Sequence, residues 1–152
     1  MVGQGRALRM VGVGGIVAGI VLMVASSGCS LSGRSERQAA QQAGNDTAVD
    51  AIREELTQVP GVVNVHVTYA NDPSTAGSSE VALTVQRGTN LELINDLAVR
   101  TVWHSQLNPL GSILVGVGID DDLTQGITHN YNKFDDWDEL ESRYGPRPVS
   151  ED

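Results

Sequence analysis

Cysteine is almost absent from this chain, which has 152 residues and a single cysteine, Cys29. One cysteine cannot form a disulfide within the chain, so the folded part must be stabilised by its apolar core. Catalytic signatures are missing too, since the sequence contains neither a G-x-S-x-G nucleophile turn nor a Walker-type phosphate loop. The histidines His66, His104 and His129 lack the short spacings of a zinc site. These absences predict a protein that is not an enzyme and holds no metal or cofactor.

Positive charge is scarce as well. The chain has 10 lysines and arginines against 19 aspartates and glutamates, a net charge of -9. Two of the basic residues, Arg6 and Arg9, lie in an N-terminal segment that contains no acid. A strongly acidic surface repels nucleic acid and anionic lipid head groups, so the composition excludes nucleic acid as a partner.

The N-terminal segment has the three parts of a secretory signal peptide. Arg6 and Arg9 precede an uncharged apolar run over residues 10–25, and the small residues Ser26-Ser27-Gly28 come directly before Cys29. This segment resembles the lipobox of bacterial lipoproteins, and its Gly/Ala/Val-rich composition looks like the signals of actinobacterial lipoproteins. The resemblance implies cleavage of residues 1–28 and acylation of Cys29, which would anchor the chain to the extracytoplasmic face of the cell membrane.

Two alternatives remain for the same segment. An ordinary signal peptidase could cleave after the small residues and release a soluble exported protein. The segment could also stay uncut as a membrane span, because no charge occurs between Arg9 and Arg34. Its strongly apolar part is shorter than the roughly 20 residues that a span needs. All three possibilities place the rest of the chain outside the cytoplasm.

Residues 29–45 are polar and lack apolar periodicity, which predicts a flexible tether. A single domain is expected over residues 46–119. Its first helix would begin at the capping-box pair Thr47 and Asp50 and end before Pro60-Gly61. The second would begin at Thr89, with Glu92 completing a capping box.

Three strands are predicted from alternating apolar residues over residues 63–69, 81–86 and 113–119. With the two helices they give the order αββαβ. This order indicates an α+β, two-layer sandwich in which both helices cover one face of a three-stranded sheet. The opposite sheet face would carry small and neutral residues, which suggests that something else covers it.

The helix-to-strand turn Val59-Pro60-Gly61-Val62, followed by the strand Val81-Ala82-Leu83-Thr84-Val85, resembles the ring-building motif. That family includes lipoproteins and membrane rings of type III secretion and flagellar bases, and related domains of sporulation channels. The resemblance covers about residues 47–119 and implies a self-associating or scaffold role. A Pro-Gly-Val turn also recurs in metal-chaperone and BON-type domains, because the turn geometry favours it.

An acidic tail is expected over residues 120–152. Its aspartates Asp120, Asp121 and Asp122 lack the D-x-D-x-D-G spacing of a calcium loop and are interpreted as the solvated end of a strand, with a cation site as the less favoured alternative. A short amphipathic helix is predicted over residues 134–144, with its larger side chains on one side. These side chains are Phe134, Trp137, Leu140 and Tyr144.

The predicted tail helix has three interpretations. It could fold back over the open sheet face or a helix edge, present Trp137 and Tyr144 to a partner, or be disordered. The sequence as a whole predicts a lipid-anchored interaction or scaffold module. Its partner would be another envelope protein or a second copy of the chain. The alternative is a small ligand-binding envelope lipoprotein. Trp103 beside His104 could form a ligand pocket, but a half-buried packing position is the favoured interpretation of these residues.

Overall fold

The computed structural model of the protein describes residues 29–72 and 76–148. The predicted signal peptide over residues 1–28 lies outside these residues. Within the described ranges, no helix is both long and apolar enough to cross a membrane. The elements in chain order are α1 Cys29–Thr57, β1 Val62–Ala70, β2 Ser78–Val85, α2 Leu91–Trp103, β3 Ser112–Ile119, β4 Asp122–Asn132 and α3 Trp137–Tyr144.

The four strands form one mixed sheet in the order β1-β2-β3-β4. Strands β1 and β2 are antiparallel, β2 and β3 are parallel through the α2 crossover, and β3 and β4 are antiparallel. The α+β class predicted from the sequence is therefore confirmed, including a short C-terminal helix. The predicted count of three strands is wrong, because the segment after β3 adds a fourth.

Strand β4 begins where the acidic tail was expected. Asp120 and Asp121 form the turn of the β3–β4 hairpin, and Asp122 begins the new strand. Asp121 pairs with Arg87 at 3.1 Å. Hydrogen bonds, chiefly from the Thr124 hydroxyl, lower the pKa of Asp122. The three aspartates thus lie at the hairpin turn and at the start of the strand that follows it. No group of three potential metal ligands occurs in the described part of the chain.

Both long helices pack on the same side of the sheet. Alternate residues of β2 and β3 point toward them, and the apolar ones among these are all buried. Trp103, at the end of α2, is 1% exposed and is the largest fully buried side chain. Helix α2 is capped by the side chain of Asn90, which accepts a hydrogen bond from the Leu93 N–H at 3.2 Å, rather than by the predicted Thr89.

Helix α1 is already formed at Cys29, the first described residue, which lies eighteen residues before the predicted cap at Thr47. The Thr47 hydroxyl donates to the Ala43 carbonyl one turn back, so this side chain satisfies a helix carbonyl instead of starting the helix. The predicted flexible tether is therefore helical over residues 29–45. Side chains over residues 34–44 are exposed, and burial starts at Asn45.

Candidate functional site

A cleft of about 610 Å³ opens at one end of the sheet. Its volume falls in the range of about 300–1,000 Å³ that is typical of binding pockets. The walls come from the loop between α2 and β3, the turn between β4 and α3, and the segment that follows α3. The described lining residues are Ala76, Asn108, Pro109, Leu110, Gly111, Ser112, Asn132, Lys133, Phe134, Trp137 and Arg147.

The loop wall of the cleft is fixed by helix α1. The Asn45 side chain is 2% exposed and pairs with the backbone of Asn108, donating to its carbonyl and accepting from its N–H, both at 2.9 Å. The Gln41 amide donates to the same carbonyl at 3.1 Å. The Tyr69 hydroxyl donates to the carbonyl of Pro109. Side chains from α1 and β1 therefore hold a loop that would otherwise have few backbone partners.

The opposite wall is built around the buried Trp103. Its indole N–H donates to the Gly145 carbonyl at 2.8 Å, and its ring meets Trp137 edge-on at a centroid distance of 5.3 Å. The Arg147 guanidinium lies 5.9 Å from the ring centroid and donates to the carbonyls of Trp103 and Leu107, at 3.2 Å and 2.8 Å. One core tryptophan thus positions both Trp137 and Arg147 at the cleft.

Phe134 stands at the mouth of the cleft and is 95% exposed. Its backbone N–H donates to the side-chain oxygen of Asn132 at 3.1 Å, and the Asp136 carboxylate accepts from the Asn132 N–H at 2.8 Å. These reciprocal bonds form an Asx-type turn that ends β4 before α3 begins. The turn holds Phe134 outward, so its exposure is a property of a fixed backbone.

The cleft is basic although the chain is acidic. Lys133 and Arg147 line it, and none of the described lining residues is an aspartate or glutamate. Among the described side chains neither Lys133 nor Arg147 forms an ion pair, whereas Arg53, Arg87 and Arg143 each do. Burial lowers the pKa of Arg147, yet a guanidinium stays charged in proteins. Within the part of the chain that the structure describes, two cations without a carboxylate partner therefore line one cleft.

The four large side chains that the sequence placed on one side of the tail helix have different environments in the structure. Phe134 and Trp137 both line the cleft, but Phe134 precedes α3, which begins at Trp137. Leu140 is fully buried against the domain, so it is not available to a partner. The half-buried Tyr144 donates from its hydroxyl to the Asp96 carboxylate at 2.7 Å. The helix packs against α2, which corresponds to the interpretation that it covers a helix edge.

All three tyrosines resist ionisation in the fold. Burial is the main cause that raises the pKa of Tyr69, Tyr131 and Tyr144, and the Asp96 carboxylate raises the pKa of Tyr144 further. An unfolded chain loses these protons near pH 10 while the folded chain keeps them, so the free energy of unfolding falls as the pH rises above about 10.

We therefore expect guanidinium denaturation to give a lower unfolding free energy at about pH 11 than at about pH 9. The Tyr144→Phe variant should show a smaller decrease than the wild type, because one of the three resistant groups is gone. Equal unfolding free energies at the two pH values would contradict the expectation.

The sheet face away from the helices is open and built from small residues. The strand register places His66, Ala82, Gly116 and Thr128 side by side across it. A shallow depression of about 270 Å³ lies over its glycines. The prediction of a small, weakly polar face agrees with this arrangement, and the described helices all pack elsewhere.

A second groove of about 350 Å³ separates α1 from α2. Its floor is apolar, with Ala48 and Ile52 from α1, and its rim carries Glu55, Arg100 and His104. The Thr101 hydroxyl closes one side by donating to Glu55 at 3.0 Å. Trp103 is 1% exposed and does not line this groove. It therefore packs in the core, more deeply than the half-buried position that the sequence favoured, and the less favoured Trp103–His104 pocket does not form.

The basic half of the cleft was missed by sequence reasoning. Arg147 contacts Trp103 and Leu107, which lie at least 40 residues away in the chain, and no local pattern encodes that contact. The sequence contained one indication of this basic site, because Lys133 is the only lysine in the chain and is adjacent to its only phenylalanine.

Comparison of the chain with protein-family models, with curated proteins and with solved structures finds no match in any of the three.

Proposed function

We propose that this protein is a lipid-anchored module of the cell envelope that binds another protein through the cleft beside Phe134. The observation that carries the proposal is the exposure of Phe134, 95% of whose surface faces solvent on a fixed turn. Large aromatic side chains are the residues most enriched among binding hot spots, and partner binding would bury this one. The half-buried Trp137 supplies a second aromatic surface next to it.

Anchoring through Cys29 is the second part of the proposal. It rests on the signal-like residues 1–28 and on the small residues before the cysteine. Helix α1 includes Cys29, the first described residue, so an acylated Cys29 would lie on the same helix that carries the domain.

The proposal predicts a site-specific crosslink in living cells. We would place p-benzoylphenylalanine at position 134 of the full chain and expect ultraviolet light to produce one discrete adduct with an envelope protein. The matched control is the same amino acid at Leu93, which is 63% exposed but lies on α2 outside the cleft. In a Cys29→Ala background the protein should leave the membrane fraction and the adduct should decrease.

Three results would count against this proposal. No adduct at position 134, or the same adducts at positions 134 and 93, would contradict the proposal that the cleft is a binding site. An unchanged membrane fraction for Cys29→Ala would remove the lipid anchor. An adduct with a second copy of the chain would show that the partner is an identical subunit, which favours the self-association alternative.

The alternative function is binding of a small apolar ligand between α1 and α2. The groove there is favoured by its volume of about 350 Å³ and its apolar floor. It is separate from the cleft, so the crosslink at position 134 would not form through it.

A further inference from the structure

The cleft has a charge that is opposite to that of the chain as a whole. The chain carries 19 acidic and 10 basic residues, yet Lys133 and Arg147 are the only charged side chains among the described residues that line the cleft. Complementary charge across an interface mainly sets which partner is accepted and how fast it associates. A partner surface that fits here is therefore negative.

Arg147 is positioned to receive an anionic group. Its Nε and one terminal nitrogen are held by the carbonyls of Trp103 and Leu107. A guanidinium has five N–H donors, so donors remain after these two bonds, and the second terminal nitrogen has no hydrogen bond among the described residues. Fixing one edge of the guanidinium reduces the entropy lost when its other edge binds a carboxylate.

Lys133 lines the same cleft. Its backbone N–H donates to the Gly111 carbonyl at 2.9 Å, which ties the end of β4 to the start of β3. The backbone of Lys133 is therefore fixed while its side chain is exposed. A flexible ammonium and a fixed guanidinium that line one cleft both offer charged donors to a carboxylate that enters it.

Phe134 indicates that the negative group belongs to a protein. A side chain that projects to 95% exposure is buried by a partner that offers a recess or an apolar surface of its own, which a small anion does not have. An anionic membrane surface is the other source of a negative group, and its binding is one outcome of the test below.

We propose that the cleft binds an acidic segment of the partner protein, in which an aspartate or glutamate contacts Lys133 and Arg147 and a neighbouring apolar side chain packs on Phe134 and Trp137. This inference rests on the proposed function and adds the chemistry of the partner to it.

The single lysine of the chain makes a selective test available. A water-soluble carbodiimide joins an amine to a carboxylate that already touches it, with no spacer. Lys133 is the only lysine, so an amide that uses a side-chain amine of this chain can form nowhere else. We would treat intact cells that express the full chain and map the products by mass spectrometry.

The expected product is an amide between Lys133 and an aspartate or glutamate of the same protein that is captured from position 134. The Lys133→Arg variant keeps the charge and lacks the amine, so it should lose the amide and keep the photo-adduct. The Lys133→Glu variant should reduce the photo-adduct about fivefold or more, as expected when an attractive rim charge becomes repulsive.

The outcomes separate the two proposals. A photo-adduct at position 134 that is unchanged in Lys133→Glu and accompanied by no amide would overturn the acidic segment while leaving the proposed function intact. Absence of the photo-adduct at position 134 would contradict both the proposed function and the acidic segment. A third arm uses the Cys29→Ala chain and phosphatidylglycerol vesicles, where cosedimentation that depends on Lys133 would overturn the protein segment in favour of a lipid phosphate.

Discussion

The Leu140→Ala variant is expected to lose about 3 kcal/mol of unfolding free energy, in the middle of the range for truncating a buried leucine. Leu140 is fully buried and is the one buried residue of α3. Its removal leaves a cavity under a helix of 8 residues, which has little stability of its own. We therefore expect α3 to detach locally before the sheet unfolds.

The matched control is Phe134→Ala, which removes a larger side chain three residues before α3 begins. Because Phe134 is 95% exposed, its loss should change the unfolding free energy by no more than about 0.5 kcal/mol. Guanidinium denaturation of the full chain, followed by tryptophan fluorescence, measures both, since Trp103 and Trp137 contact each other at this junction. Equal effects of the two variants would show that α3 does not pack on the domain.

The Gly77→Ala variant is expected to lose about 3–5 kcal/mol, from backbone strain and overpacking together. Gly77 has a φ of +80°, and a Cβ added there would collide with the carbonyl oxygen of Pro109. The Gly77 carbonyl also accepts from the N–H groups of Gly111 and Ser112, at 2.6 Å and 3.2 Å. The collision would therefore push the Pro109 loop away and open the wall of the cleft.

Gly88→Ala provides the control for this variant. Gly88 has a φ of +90°, but no atom lies within 4 Å of the position that its Cβ would take. Only the conformational cost of a left-handed residue remains, about 1–2 kcal/mol. The same denaturation experiment compares the two variants, and similar losses would mean that Gly77 is required for its backbone angle and not for the contact with Pro109.

The sequence predicted most of the sheet because its alternation is strong. In β2 the residues Val81, Leu83 and Val85 are buried, and polar or small residues separate them. Strand β4 was missed because Ile127 is its one aliphatic residue in the inward-facing register between Gly126 and Asn132, where His129 and Tyr131 share that side. Its threonines, isoleucine and tyrosine favour a strand. The three aspartates before it favoured a solvated acidic tail, and that was the prediction for this segment.

The candidate site could be predicted only in part. Helical spacing correctly grouped Trp137 with Leu140, but it also included Phe134, because periodicity cannot detect that the Asn132 side chain ends the strand in a separate turn. The pairing of Asn45 with Asn108 joins residues 63 positions apart, and Arg147 depends on similarly distant carbonyls. Tertiary contacts of this kind create the cleft, and they leave no local pattern in the chain.

The continuous helix α1 determines the distance between Cys29 and the folded domain. Asn45, the first buried residue among the described side chains, lies sixteen positions after Cys29, and a helix rises about 24 Å over sixteen positions. If Cys29 is acylated, this part of α1 would set how far from the bilayer the domain is held. Insertions of seven residues would keep the helical phase and raise the domain by about 10 Å, whereas insertions of two would turn the cleft toward the other side of the helix.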